Sequence, residues 1–507
     1  MSISGLSRAR RLLQGWSANL LQMLLGITQQ VALVPVFLHF WNSDTLAAWL
    51  SIYAAGNLIL IFDCGLHVRA INKFLVLRSS VDCDGRTARF FGAMRQIYFM
   101  MTGLLIVLLL CSAFFFPPST SLGFATIPHF DLAFVVMLLG MLLTVPANLA
   151  SALYRARGYY GRAVRLQTLA MLIAQLGQLV AVTVTGSLLG VTLAYVIAQV
   201  FVSSYVIVVD APRLFPFLRG AAGARSWRWA LGQFWMAFPF AIAGTTELAL
   251  TSAPVLLVSA FVTDRMAVAQ WGLTRVVAGL LRALCTQTTL PLAAELGHDY
   301  AIGATEQLQS LYARGSALLS LLASVVVSGL LAFWPDFFAI WTRGAIPYDQ
   351  SLTATLLIGT VVAAPSILAV SYANYSDRGK LLASTKGLQL LVFLALCLLL
   401  IPQLGALGAA FAMVSCDVLV QLGWLTADVL RQTLKRPFEH IAFLVAVIAV
   451  VTLSGWSLGM VIHLAVPGTG LMRLVGECAL WLLVVALVAS PLQNGELRSR
   501  LIAIIPR

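Results

Sequence analysis

Charge is what this sequence has least of. Only 10% of its 507 residues are charged, 60% are apolar, and the mean hydropathy is +0.92. A soluble domain carries about 25% charged residues, so a chain of this length and composition cannot cover a water-facing surface. A soluble globular fold is excluded, and a bilayer must solvate the apolar surface instead. Acidic residues are scarcer than basic ones, 19 Asp and Glu against 32 Lys and Arg, for a net charge of +13. No Lys/Arg-rich tail or aromatic-basic module stands apart, so nucleic acid is not expected as a partner.

Catalytic signatures are lacking too. No GxxxxGK[ST] phosphate loop is present, so the chain is not expected to hydrolyse ATP by itself, and HExxH and GxSxG are missing. The seven cysteines form no CxxC pair, and all but Cys83 lie in apolar runs, which suits packing rather than metal or disulfide chemistry. The six histidines are scattered, mostly near the ends of apolar runs, as interfacial side chains are. The chain is therefore expected to be no enzyme and to need neither metal nor cofactor.

What is present is a series of apolar runs, each long enough to span a membrane at about 20 residues per crossing. They fall at roughly 15–39, 45–71, 96–117, 131–152, 166–186 and 190–209, then 231–262, 266–290, 312–334, 351–374, 384–402, 405–427, 441–463 and 473–493. The expected fold class is an all-α integral membrane protein of about fourteen helices. The start, MSISGLSRARRLLQGW, imitates a signal peptide, but its apolar run is too long and lacks a small-x-small cleavage site. It reads as an uncleaved first helix with the N-terminus in the cytoplasm. On that topology, inner segments including Lys386 hold 25 Lys and Arg, and outer loops hold only Arg265, Arg343 and Arg473. That bias is the positive-inside pattern. One expected inner loop, 291–311, resists: it carries Glu295, Asp299 and Glu306 and no Lys or Arg. The outer loops, longest near 118–130 and 335–349, are too short for a soluble domain.

The two halves show a repeat. FLHFWNSDTLAAWL at 37–50 resembles SAFVTDRMAVAQWG at 259–272, matching Asn42 with Asp264, Ala47 with Ala269 and Trp49 with Trp271. In each, an apolar run ends, a polar turn follows and a helix begins. Such a repeat suits a transporter that rocks one bundle against another around a central site. The expected organisation is a six-helix bundle over 1–210, a basic cytoplasmic linker over 211–230, a second bundle over 231–430, and two further helices with a tail over 431–507.

A charge at mid-membrane costs about 2.5–3.5 kcal/mol on insertion scales, so each buried ion needs a reason. The ions in apolar runs are Asp63, Arg69, Glu247, Arg275, Arg282, Asp417 and Glu477. Arg275 and Arg282 stand i, i+7 on one helical face, about 10 Å apart along the axis. A cationic track suits a phosphate-bearing substrate, because guanidinium binds phosphate bidentately. The alternative is that both arginines hold the bundle together by pairing with Glu247, Asp63 or Asp417. Glu247, with Thr251 four residues on, is a candidate for proton coupling or simply neutralises an arginine. In the first helix Gln22, Gly26 and Gln29 form a polar stripe that either meets sugar hydroxyls or bonds a neighbouring helix. Pro35, Pro146, Pro239, Pro254 and Pro365 mark kinks or hinges.

These residues also carry a family resemblance. LSIYAAGNLILIFDCGLHVRAINKF, with Asp63-Cys64-Gly65-Leu66, resembles the second helix of the bacterial polysaccharide-repeat-unit flippases. These belong to the multidrug/oligosaccharidyl-lipid/polysaccharide flippase superfamily. VLLVSAFVTDRMAVAQWGLTRVVAGLLRALCTQTTLPLAAEL, ending with Pro291 and Glu295, resembles that family's opening of helix eight. Two positions depart from its pattern: Ser252-Ala253-Pro254 stands where an acidic residue is common, and Trp271 replaces a tyrosine. The resemblance implies two six-helix bundles around a cationic cavity, with two extra helices accommodating lipid. It implies an inner-membrane protein with both termini cytoplasmic, moving oligosaccharides linked to undecaprenyl diphosphate from inner to outer leaflet. Its partners would be that lipid-linked oligosaccharide, membrane lipids and polysaccharide polymerase machinery. By that resemblance Arg275 and Arg282 would attract the diphosphate, and Asp63 would steady the inner gate; Arg69, Glu247 and Asp417 join the coupling and gating group on their own placement as intramembrane ions. Rival readings are a lipid II or multidrug transporter of the same superfamily, a membrane glycosyltransferase or polymerase, or a structural scaffold.

Overall fold

The computed structural model describes residues 21, 25–26, 32–77, 84–157, 159–218, 226–301, 303–376, 379–467 and 470–489. The chain is all-helical, with no strand among these residues. Twelve helices among them are long and apolar enough to cross a membrane. Most of the expected first crossing, with Gln22 and Gln29, lies outside the described residues. The expected eighth crossing is part of one 37-residue helix, Arg265–Ala301. The described chain is all-helical and multi-pass.

Two sequence expectations change. The acidic segment 291–311 is not a loop: Arg265–Ala301 runs on to a short break and Thr305–Trp341 begins at once, the chain turning at Gly303 with φ +72°. At 1.5 Å per residue each of these 37-residue helices is about 55 Å long, well beyond a hydrocarbon core of about 30 Å. Backbone hydrogen bonding keeps the chain helical past the bilayer, where carboxylates are readily hydrated. Lys386 is the second correction. It sits inside the Gly379–Leu404 helix and is buried, so it is not a loop charge.

The repeat extends far beyond the matched motif. Helices beginning at Ser43, Arg86, Phe130, Gly161 and Leu188 are answered by helices beginning at Arg265, Thr305, Gln350, Lys380 and Ala406, each 218 to 222 residues later. At the motif itself, Asn42 accepts a hydrogen bond from the Thr45 amide (2.9 Å) and caps the Ser43–Leu58 helix. Asp264 directly precedes Arg265–Ala301 in the same way. A close packing point is repeated too. A Cβ on Gly140 would collide with Val196, and one on Gly359 would collide with Val414. Each is a glycine on one helix admitting the branched valine of another, the small-residue device that lets membrane helices approach.

The described chain forms two compact units, Met1–Arg265 and Met266–Arg507. In the first, Phe130–Thr144 and Tyr160–Thr185 pack on Leu188–Tyr205, and Trp227–Phe261 lies along Ser43–Leu58 and Leu66–Leu77. That long helix contains Pro239 and Pro254 without breaking. In the second unit Gln350–Tyr375 packs on Ala406–Cys416, and Gly379–Leu404 on the same helix. The Pro437–Ala465 helix runs along Thr305–Trp341. Their contact is built from small residues: Ser316, Ser320, Ser324 and Ser328 each bond a carbonyl of their own helix, and Gly455 and Gly459 leave room for Ser328 and Ala332. His440 closes one end through a 2.8 Å hydrogen bond between its Nε2 and the Ser316 hydroxyl.

Candidate functional site

The first unit encloses a cavity of about 550 Å³ lined by Asn57, Asp63, His67, Asn148, Arg155 and Gln199, among others. Local backbone strain puts Asp63 there. The helix beginning at Ser43 tightens to a 3₁₀ turn over Ile59–Asp63, Cys64 adopts φ 50°, and a new helix starts at Leu66. This break aims the Asp63 carboxylate inward. Tyr98 donates to its Oδ1 (2.8 Å), Asn148 donates to the same oxygen (3.3 Å), and the His67 amide donates to Oδ2 (3.2 Å). The His67 imidazole lies 3.6 Å from Oδ2. A carboxylate so surrounded can anchor the walls of a polar cavity.

Hydrogen bonds to an ionised acceptor are worth about 1.5–3 kcal/mol in water-soluble proteins, whereas interhelical bonds measured in a membrane protein reach about 1.7. Tyr98→Phe should therefore cost about 1.5 kcal/mol, seen as a lower midpoint in thermal unfolding of the purified protein. Asn148→Ala, which removes a longer bond from a half-exposed donor, should cost clearly less. Equal losses would show that Asp63 is not held as described.

A second anchored carboxylate in this unit was not singled out by sequence. A π-turn at Val206–Asp210 ends on Asp210, which is buried. Arg162 grips it with two bonds, Nε to Oδ2 (2.9 Å) and Nη2 to Oδ1 (2.5 Å), and Tyr154 donates to Oδ2 (2.7 Å). Arg162 falls between the expected crossings 131–152 and 166–186, and only the folded chain, which holds it in the Tyr160–Thr185 helix, brings it to Asp210.

The second unit holds a longer polar network. Arg282 pairs with Asp417 through Nη2 and Oδ2. Gln389 donates to the other Asp417 oxygen (2.6 Å), while Lys386 donates to Gln389 (3.1 Å) and to Gln421 (2.8 Å). Gln421 in turn donates to the Ser366 hydroxyl (2.7 Å). Asp417 opens a ten-residue π-segment, Asp417–Thr426, in which Thr426 donates to the carbonyl of Gln421 five residues back. Wide helical turns of this kind occur often at functional positions. The network sets two basic side chains against one carboxylate.

Of the residues expected from sequence, Arg282 and Asp417 are thus brought together, and Arg275 is half-buried two turns from Arg282 on the same helix. Asp63 stands in the first-unit cavity. Arg69 does not join Asp63; its Nη2 lies 2.9 Å from the Met236 sulfur. Glu247 is exposed on the Trp227–Phe261 helix, and the Thr251 hydroxyl donates to its main-chain carbonyl (2.9 Å). Lys386, Gln389, Gln421 and Ser366 were not foreseen. Lys386 and Gln389 stand three residues apart and Gln421 four after Asp417, spacings that apolar periodicity alone passes over.

No described protein family and no curated protein matches the sequence. Solved structures do. The fold is similar to a lipid II flippase, MurJ, in an inward closed conformation: TM-score 0.70, 12% identity, 95% of this chain and 100% of that one. It is similar to an inward-facing multidrug-resistance MATE transporter of the MOP superfamily, with TM-score 0.64 and 13% identity over 83% of this chain and 95% of that one. The Vibrio cholerae MATE transporter VcmN matches with TM-score 0.54 and 15% identity, over 84% of this chain and 97% of that one. At these identities the likeness is one of fold, and this chain has the helical fold of the MOP-superfamily transporters.

Proposed function

We propose that this chain is an alternating-access flippase that carries oligosaccharide repeat units linked to undecaprenyl diphosphate across the bacterial inner membrane. The observation that carries the proposal is the likeness to a lipid II flippase over 95% of the chain, which supports a lipid-linked cargo over a soluble drug. The chemistry agrees. In the second unit's polar network Arg282 and Lys386 stand against the one carboxylate of Asp417, with Arg275 two turns from Arg282 on the same helix, and locally excess positive charge in a low-dielectric interior favours a diphosphate. In this mechanism Arg275 and Arg282 receive the diphosphate, the glycan occupies the polar interior, and the polyprenyl chain stays in lipid beside the helices of 431–507. Bundles 1–210 and 231–430 rock about the load, Asp63 and Arg69 steady the inner gate, and Glu247 and Asp417 take part in coupling. Because a ligand shifts an equilibrium only through differential affinity, release needs a coupled ion, a potential or consumption of the product. The basic loops keep both termini in the cytoplasm, and polymerase machinery is the natural acceptor of the delivered units.

The test uses cells whose surface polysaccharide can be scored. Arg275→Ala/Arg282→Ala should abolish the polysaccharide and accumulate lipid-linked oligosaccharide in the inner leaflet, with the protein still present in the membrane. Wild-type polysaccharide from that variant would overturn the anionic-cargo reading. A second reading, lipid II itself as cargo, is favoured by the identity of the same neighbour. It predicts instead that the wild-type gene rescues cells depleted of their lipid II flippase.

A further inference from the structure

Three helix ends converge in the second unit on a group that the flippase reading does not use. Asp336 comes from the last turns of Thr305–Trp341, His463 from the last turn of Pro437–Ala465, and Glu477 from the second turn of Gly470–Ala489. One donor atom from each lies within 4.8 Å of the others. The His463 Nδ1 is 3.2 Å from a Glu477 oxygen and 3.6 Å from an Asp336 oxygen. Glu477 is fully buried, and its Oε2 has no hydrogen-bond partner among the described residues, nor has the buried His463 Nδ1. Arg473 donates to Glu477 Oε1 (2.8 Å) and to the His463 carbonyl (2.5 Å), which fixes both residues from the side.

Hydrogen bonding alone leaves this group poorly satisfied. A proton on Nδ1 can point at only one of the two carboxylates, and a buried acceptor without a donor costs about 1–3 kcal/mol in a folded protein. A metal ion satisfies all three donors together. With metal–ligand bonds of about 2.0–2.1 Å, neighbouring ligand atoms of a tetrahedral zinc site stand roughly 3.3 Å apart, close to both spacings at His463. We infer that Asp336, His463 and Glu477 form a divalent-cation site of the zinc class, tying together the ends of the Thr305–Trp341, Pro437–Ala465 and Gly470–Ala489 helices. The imidazole nitrogen selects a zinc-like ion over magnesium or calcium, which prefer all-oxygen shells. Asp336, with its side chain 44% exposed, gives the ion its way in and leaves the fourth position to water. Arg473 orients Glu477 as an outer-shell partner.

The test needs no transport assay. Full-length protein in detergent, freed of any affinity tag and of metal by EDTA, is equilibrated with zinc chloride, desalted and analysed for bound metal and thermal unfolding. Wild type should retain about one zinc per chain, and its unfolding midpoint should rise by about 3 °C, with no rise in magnesium. Retention should fall at least about tenfold in Asp336→Asn and in His463→Gln. Absence of stoichiometric zinc, or equal retention in Asp336→Asn, would overturn the site and leave a metal-free polar cluster held by Arg473. Asp336 is the decisive position: its exposure lets the asparagine variant fold even if changes at His463 or Glu477 do not.

Discussion

Arg282→Ala is expected to lower the stability of the purified protein by about 3–5 kcal/mol, the range for stripping one partner from a buried ion pair. Asp417 would keep Gln389 as a donor but lose its guanidinium, leaving a buried carboxylate linked to the remaining network cation, Lys386, through Gln389 in a medium that solvates ions poorly. Arg282→Lys should fall between, because an ammonium keeps the charge without the planar fork. The informative variant is the double one. Arg282→Leu/Asp417→Leu removes this pair together, and apolar replacements of whole pairs are often neutral or stabilising, so thermal stability should recover in large part, short of wild type because Lys386 keeps its charge in the same network without the carboxylate. Transport should not return, because one of the two arginines proposed to receive the diphosphate is gone. A double variant both stable and fully competent in the polysaccharide assay would mean that the pair only holds helices together. One that is stable and inactive separates the guanidinium's work on cargo from its work on the fold.

That pair also shows how far sequence alone reaches. The helices and the repeat were legible because each crossing must bury about 20 apolar residues and satisfy its own backbone, and that constraint is written locally. The i, i+7 spacing of Arg275 and Arg282 was legible for the same reason. Partner choice was not. Asp63, Glu247 and Asp417 were equal candidates for Arg282 until the fold brought in Asp417. Lys386 was misplaced because a lysine near the start of an apolar run reads as an interfacial anchor, whereas Gln389 and Gln421 solvate it inside. The acidic 291–311 segment misled for a related reason: hydropathy marks where a helix leaves the hydrocarbon, not where it ends. The cluster at Asp336, His463 and Glu477 draws on three distant stretches with no fixed spacing, so no motif announces it.

The motif at Asp63-Cys64-Gly65-Leu66 was legible as a resemblance, and the structure supplies the physical reason for its glycine. Gly65 has φ +68°, and a Cβ there would lie 2.6 Å from the Ala241 nitrogen, 2.8 Å from the Ala237 oxygen and 3.0 Å from the Phe240 carbonyl carbon. All three are main-chain atoms of the Trp227–Phe261 helix, next to Pro239, so no side chain can swing aside. Gly65→Ala therefore incurs the left-handed backbone penalty of about 1–2 kcal/mol and, in addition, an overpacking cost of about 1–3 kcal/mol. The expected total is about 3 kcal/mol, read as a fall in unfolding midpoint and in monodisperse protein recovered from membranes. Gly85→Ala separates the two contributions. Gly85 has φ +67° but nothing within 4 Å of the added carbon, so it should show the backbone penalty alone. Should Gly65→Ala cost no more than Gly85→Ala, the close approach of the two helices would be wrong. If it costs more, Gly65 is the contact that lets Asp63 turn into its cavity while Trp227–Phe261 passes directly over the break.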